Sequence, residues 1–191
     1  EAMERRGLVS LGWQYYVIDM GWYVPRTAWN STSGGVDASK FATDGRSRML
    51  PDPQRFPSSA GSGSLAPLCA QLKSKHGVLC GVHLVTGVPI RAVQEKQPIE
   101  NSSWTAADIA GTIHSGGQSW NLLLKRIEGA QGPALHEGAQ AYYDSVVSQL
   151  GSWGVRFIKL DWAWQQDGLE PLAVRAAIVK SGYDIVLSVN G

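Results

Sequence analysis

Trp153-Gly154-Val155-Arg156-Phe157-Ile158-Lys159-Leu160-Asp161-Trp162 is an apolar, strand-forming run that ends by presenting a lysine and a carboxylate. Side chains alternate along a strand, so Phe157, Lys159 and Asp161 share one face while Ile158, Leu160 and Trp162 share the other. Burying Ile158 and Leu160 against helices aims Lys159 and Asp161 into a sheet or barrel interior at the strand's C-terminal end. Open α/β sheets and barrels keep their chemistry there. The stretch by itself allows two readings: a functional carboxylate beside a lysine, or an ion pair that merely closes a loop.

Outward from this stretch, helix and strand alternate along the chain. A helix is expected to end near Leu11-Gly12, before a strand from Trp13 to Asp19. After a long loop, a helix from about Leu65 to Lys75 leads into a strand from Val78 to Leu84. A second long loop precedes a helix from about Glu137 to Leu150, which feeds the strand Val155 to Asp161. A last helix, Leu169 to Lys180, closes on Ser181-Gly182 before the strand Asp184 to Val189. Each helix meets its strand through a short glycine-containing turn, and each strand exits into a longer segment. That pattern predicts a parallel sheet with its active face at the strand C-termini. No strand runs into a Gly-x-Gly-x-x-Gly turn, so a barrel is favoured over a doubly wound dinucleotide fold. A full (β/α)8 barrel needs eight strands and about 250 residues. The expected fold is therefore a partial TIM barrel, about strands 2 to 5, with residues 1–191 as one partial catalytic domain.

Composition narrows the function. At 191 residues and 43% hydrophobic the chain can bury a substantial core. A formal net charge of +1 without a basic cluster leaves no electrostatic footprint for nucleic acid or an anionic membrane surface. No apolar run approaches the roughly 18 residues of a spanning helix, and Glu1-Ala2-Met3-Glu4-Arg5-Arg6-Gly7-Leu8 reads as the middle of a helix in a longer protein. Two cysteines are too few for a disulfide scaffold; Cys69 shares a helical stripe with Leu65, Leu68 and Leu72, and Cys80 lies in an apolar strand, so buried free thiols are expected. Asn30-Ser31-Thr32 and Asn101-Ser102-Ser103 are glycosylation sequons and favour a secreted, vacuolar or lysosome-like compartment. His76, His83, His114 and His136 lack metal-ligand spacing among themselves, so neither a metal nor another cofactor is expected.

Polar residues recur at strand ends: Asp19, His83, Lys159 with Asp161, and Asn190, with Trp22 and Trp162 close by. Tryptophan faces pack on the C–H patches of a sugar while carboxylates, lysine and amide bind its hydroxyls. Eight tryptophans in so short a chain suit a carbohydrate partner, with about half, Trp13 among them, assigned to ordinary packing.

The segment Leu11-Gly12-Trp13-Gln14-Tyr15-Tyr16-Val17-Ile18-Asp19-Met20-Gly21-Trp22 resembles the second-strand segment of the melibiase-type α-galactosidases of glycoside hydrolase family 27. Asp44-Gly45-Arg46 with Pro51-Asp52-Pro53-Gln54-Arg55-Phe56-Pro57 resembles that family's next loop. Leu72-Lys73-Ser74-Lys75-His76-Gly77 with Gly81-Val82-His83 is similar to its following helix and third strand, and the Trp153 to Asp161 stretch to its fourth. The insert from Gly81 through Gly87, Gln94 and Pro98-Ile99 to Trp104-Thr105-Ala106-Ala107-Asp108-Ile109 is similar to a plant-type branch.

The resemblance implies a retaining glycoside hydrolase that cleaves terminal α-D-galactosyl residues by double displacement. Asp161 would be the nucleophile, and Lys159 would hold sugar hydroxyls while keeping the carboxylate ionised. Asp19 and Trp22 match the sugar-binding aspartate and tryptophan. His83 takes a position usually held by a pocket-lining tyrosine, and Asn190 one where many members place a glutamate. Where typical members carry a second aspartate, this chain has Met20, and Gly21 replaces the usual cysteine. The general acid is expected after a sixth strand, beyond Gly191, so the 191-residue chain alone is expected to be inactive. Two other readings stay open: a non-catalytic carbohydrate-binding relative, and a barrel aldolase with Lys159 as the Schiff-base lysine.

Overall fold

The structure, a computed structural model, describes residues 5–28, 36–113 and 121–190. The sequon at Asn30 and His114 lie outside these residues. Residues 6–12, expected as a helix end, form successive turns, closed by Leu11 N–H donating to the Gly7 and Leu8 carbonyls. Gly7 and Gly12, both at positive φ, interrupt any regular helix there.

Strand β1 (Tyr15–Ile18) is followed by a long loop with three short 3₁₀ turns, helix α1 (Ala66–His76) and strand β2 (Leu79–Val85). Pro67 sits in the first turn of α1, and Gly77 ends it in the left-handed conformation, donating to Leu72 and Lys73. Next comes an insert: β3 (Val88–Pro89), the short helices α2 (Ile90–Gln94) and α3 (Ala106–Ile109), β4 (Ala110–Ile113), β5 (Asn121–Leu124), and the hairpin β6 (Arg126–Gly129) with β7 (Gly132–Leu135). Helix α4 (Gly138–Ser152), strand β8 (Val155–Asp161), helix α5 (Leu169–Ser181) and strand β9 (Val186–Val189) complete the order.

The main sheet has the order β1-β2-β8-β9 and every pairing is parallel. The four expected strands are therefore neighbours in chain order. Among the described residues this sheet is open and no closed barrel is formed. The region between β2 and α4 departs from the irregular loop expected of it. It holds an antiparallel sheet of order β3-β5-β4 and the β6–β7 hairpin. Strands of two to four residues are too short to show an alternating pattern, so pairing within the insert, invisible to periodicity, decides their form.

One face of the main sheet is covered by helices. Helix α4 buries Ala139, Tyr142, Tyr143, Val146, Val147 and Leu150, a three-four spacing that makes one apolar stripe. It shares one buried core with Cys80, Val82, Leu84, Ile158 and Leu160. The register between β2 and β8 skips Arg156, so Val155 opposes Cys80 and joins the helix-facing set before Phe157 resumes the alternation. On the opposite face Gly81 lets Val17 and Phe157 close in; a Cβ there would lie 3.0 Å from each. Tyr15 stacks beside Phe157, ring centroids 5.2 Å apart, and together these side chains form an apolar floor. Above it, toward the C-terminal ends, the register row His83, Lys159 and Ser188 turns polar.

Both cysteines are buried and free, as expected. Trp13, assigned to packing from its place in the strand, is instead 57% exposed. It precedes the first paired residue of β1, and among the described residues no strand or helix covers it.

Candidate active site

Asp161 is the last residue of β8, and the chain leaves the strand at Trp162, whose φ of 65° turns it sharply away. Thr86 holds this exit: its N–H donates to the Asp161 carbonyl at 3.4 Å and its hydroxyl to the Trp162 carbonyl at 3.3 Å. Neighbouring strands deliver the other groups. His83, wholly buried in β2, lies with Nε2 2.9 Å from Oδ2 of Asp161. Lys159, two residues earlier on the same face of β8, has Nζ 3.4 Å from Asp161 Oδ2 and 3.0 Å from Asp19 Oδ1. Asp19, just past β1, also accepts from the Met20 N–H at 2.7 Å. Three strand ends thus bring two carboxylates, one ammonium and one imidazole together.

The electrostatics assign different states to these groups. The Asp19 carboxyl is held below its usual range, first by the Met20 N–H and then, against partial desolvation, by Lys159. Desolvation works against the Lys159 charge, yet the hydrogen bond to Asp19 and the Asp161 charge outweigh it and raise its pKa. Burial pushes the His83 imidazole down despite the two carboxylates nearby. Tyr23, buried beside the group, has its phenol pushed well up by burial and then by the Asp161 and Asp19 charges. Nothing in the spacing of Tyr23 marks it in the sequence; only folding brings it near these carboxylates.

One of the sequence-derived site residues, Trp22, sits differently from the expectation. Trp22 is 2% exposed, packed edge-on against Tyr23 and Trp153, with its Nε1–H donating to the His83 carbonyl at 2.8 Å. Its indole therefore braces β2 from within the core and presents no open face for a sugar. Trp22 stands four residues past the end of β1, and the loop there turns it inward, which a pattern reading cannot detect. Asn190 stands one residue past β9 with an exposed side chain. Its backbone bonds to the β8 end, accepting from Ala163 at 3.2 Å and donating to Leu160 at 2.9 Å.

Asp19, His83 and Asp161 each bring a ligand atom within 4.8 Å of the others, a geometry that could hold a metal ion. Spacing could not reveal it, because the three lie on separate strand ends. The Lys159 ammonium already supplies a positive charge to both carboxylates, and a divalent ion would have to displace it. Cavities of about 270 and 300 Å³ elsewhere are lined by the paired Asp144 and Lys180 and by the buried Cys69 and Cys80; neither gathers comparable chemistry.

No family model matches the sequence, and no curated protein sequence matches it. Solved structures do. A β-L-arabinopyranosidase of glycoside hydrolase family 27 from Geobacillus stearothermophilus, an aspartate-to-alanine variant in complex with arabinose, aligns with a TM-score of 0.82. It is 32% identical, with 100% of this chain and 42% of that chain covered. The wild-type enzyme aligns at 0.79 and 32% identity, over 96% and 41% of the two chains. A Bacillus halodurans C-125 protein provisionally identified as an α-N-acetylgalactosaminidase aligns at 0.80 and 28% identity, over 98% and 43%. The chain thus spans about two-fifths of the length of these structures. It is an α/β unit whose parallel sheet matches that of glycoside hydrolases.

Proposed function

We propose that this chain carries the nucleophile side of a retaining glycoside hydrolase of family 27 type, acting on terminal α-D-galactosyl residues. The observation that carries this reading is the Asp161 carboxylate, fixed at a strand C-terminus between His83 and Lys159 with Asp19 on the far side of the lysine. In the first step the Asp161 carboxylate bonds to the anomeric carbon as the bond to the leaving oxygen breaks, and a general acid protonates that oxygen. Water then attacks the anomeric carbon, the ester bond to Asp161 breaks, and the water's proton returns to the acid's conjugate base.

Asp19 does not fit the role of acid, because the Met20 N–H and Lys159 favour its ionised form. It suits a hydroxyl acceptor. Glu170 does have a raised pKa, from burial, but its oxygens are engaged by Gly87, Leu124 and Tyr143 on the helix side. This reading takes the acid from the family's sixth-strand segment. It also disfavours a Schiff-base role for Lys159, since such a lysine needs a depressed pKa and this one is raised.

One observation favours a second sugar. Met20, 48% exposed beside Asp19, offers no acceptor where typical members have an aspartate. β-L-arabinopyranose has the ring hydroxyl arrangement of galactose without its hydroxymethyl group, so losing one acceptor costs it less.

The test is hydrolysis of nitrophenyl α-D-galactopyranoside and nitrophenyl β-L-arabinopyranoside by the full-length protein. Hydrolysis of either with retained anomeric configuration is expected, with Asp161→Asn lowering turnover by several orders of magnitude while the fold persists. A fluorinated glycoside should label Asp161. Labelling of another residue, or sugar binding with no turnover, would replace this reading, the latter by a non-catalytic carbohydrate-binding relative.

A further inference from the structure

We propose that His83 is the positioning residue for Asp161: its imidazole donates Nε2–H to Oδ2 and sets the rotation of the carboxylate. The proposal rests on the reading of Asp161 as nucleophile and adds to it a residue whose type departs from the tyrosine usual at that place.

A carboxylate only accepts, so the 2.9 Å contact requires the proton on Nε2. His83 Nδ1 is buried without a hydrogen-bond partner. Protonating it would place an unsatisfied N–H, and a second buried charge, in a site already holding Lys159. One tautomer is thereby selected. The charged groups facing the imidazole are Asp161 and Lys159 from β8 and Asp19 from the end of β1. The carboxylates favour imidazolium, while burial, the largest influence, and Lys159 oppose it, leaving the pKa lowered.

The geometry then explains how the carboxylate is held. Oδ2 receives both His83 Nε2 at 2.9 Å and Lys159 Nζ at 3.4 Å. Lysine is a point charge on a flexible stem and shares itself with Asp19. The imidazole is rigid and wholly buried, and its backbone carbonyl is gripped by Trp22 Nε1–H at 2.8 Å. Direction therefore comes from His83, while charge comes from Lys159.

Two measurements on the full-length protein test this. Ring ¹⁵N NMR should show Nε2 protonated and Nδ1 bare at neutral pH; an imidazolium or an Nδ1–H tautomer there would overturn the proposal. His83→Phe should lower kcat on the order of 10- to 100-fold, with KM changed less, and move the acid limb of kcat/KM to higher pH. His83→Gln, whose amide nitrogen can replace Nε2, should restore most of both. Equal losses in Phe and Gln, or an unmoved acid limb, would show a merely structural role. Should His83→Phe not fold, the NMR result on the wild type still decides. Failure of the Asp161 labelling would overturn the nucleophile reading and leave the tautomer measurement unaffected, so the two failures are distinguishable.

Discussion

At the scale of single residues, the site is organised by a lysine shared between two acids. Lys159 Nζ lies 3.0 Å from Asp19 Oδ1 and 3.4 Å from Asp161 Oδ2. Asp19 has a second, larger source of stabilisation in the Met20 N–H. Replacing Lys159 with methionine, similar in length and uncharged, should therefore raise the Asp19 pKa only part of the way to its ordinary value of 3.8. A carboxyl ¹³C titration reads this directly, and an unmoved Asp19 would mean that the lysine contributes nothing. The sign for stability follows from linkage. Because the folded Asp19 pKa is depressed, its stabilisation is present above pH 3.8 and is lost as pH falls through the lower folded value. The variant should lose part of that acid-dependent stability, and the exposure of Asp19 keeps the effect small.

At the scale of elements, the joint between α4 and β8 determines how accurately the strand end is placed. The helix ends at Ser152, and after two intervening residues the strand begins at Val155. The Tyr183 ring, from the turn before β9, lies against Gly151; a Cβ there would come within 2.1 Å of Tyr183 Cδ2. Arg156 completes the contact, its guanidinium 5.5 Å from the Tyr183 ring centre and donating to the Gly151 carbonyl at 3.1 Å. Alanine is the better helix former, so local propensity alone predicts that Gly151→Ala stabilises. Packing predicts the reverse, because the ring must move, and overpacking of this kind costs about 1–3 kcal/mol. Urea unfolding should show a lower midpoint for Gly151→Ala. A raised midpoint would mean that Tyr183 is free to swing away.

At the scale of the whole molecule, a buried carboxylate ties the insert to the main helices. Glu170, in the first turn of α5 and fully buried, accepts from Gly87 N–H at 2.5 Å, Leu124 N–H at 3.0 Å and the Tyr143 hydroxyl. These partners come from the exit of β2, from β5 and from α4. Glu170→Gln sets an amide donor against other donors, and the expected cost is about 1–3 kcal/mol. Burial raises the Glu170 pKa, so its contribution is greatest below the unfolded value of 4.5 and declines as pH rises through the folded value. The stability difference between wild type and Glu170→Gln should accordingly narrow with rising pH. Unfolding midpoints measured across pH check this, and a difference independent of pH would contradict the assignment.

The sequence alone determined the alternation of helix and strand, the parallel order of the main sheet, and the sharing of one face by Lys159 and Asp161. Those features are local: periodicity, glycine turns and strand alternation are written over a few consecutive residues. It also marked Asp19 and His83 as groups at or near a strand's C-terminal end, Asp19 where an apolar run stops and His83 one residue before the expected end of another. Only the tertiary structure decided which of them touch, since the 2.9 Å contact of His83 with Asp161 joins residues on neighbouring strands. Tertiary packing likewise turned Trp22 into the core, exposed Trp13, and folded the insert into short antiparallel strands. A side chain's direction past the end of a strand depends on what the rest of the chain leaves room for, and no short-range pattern encodes that space.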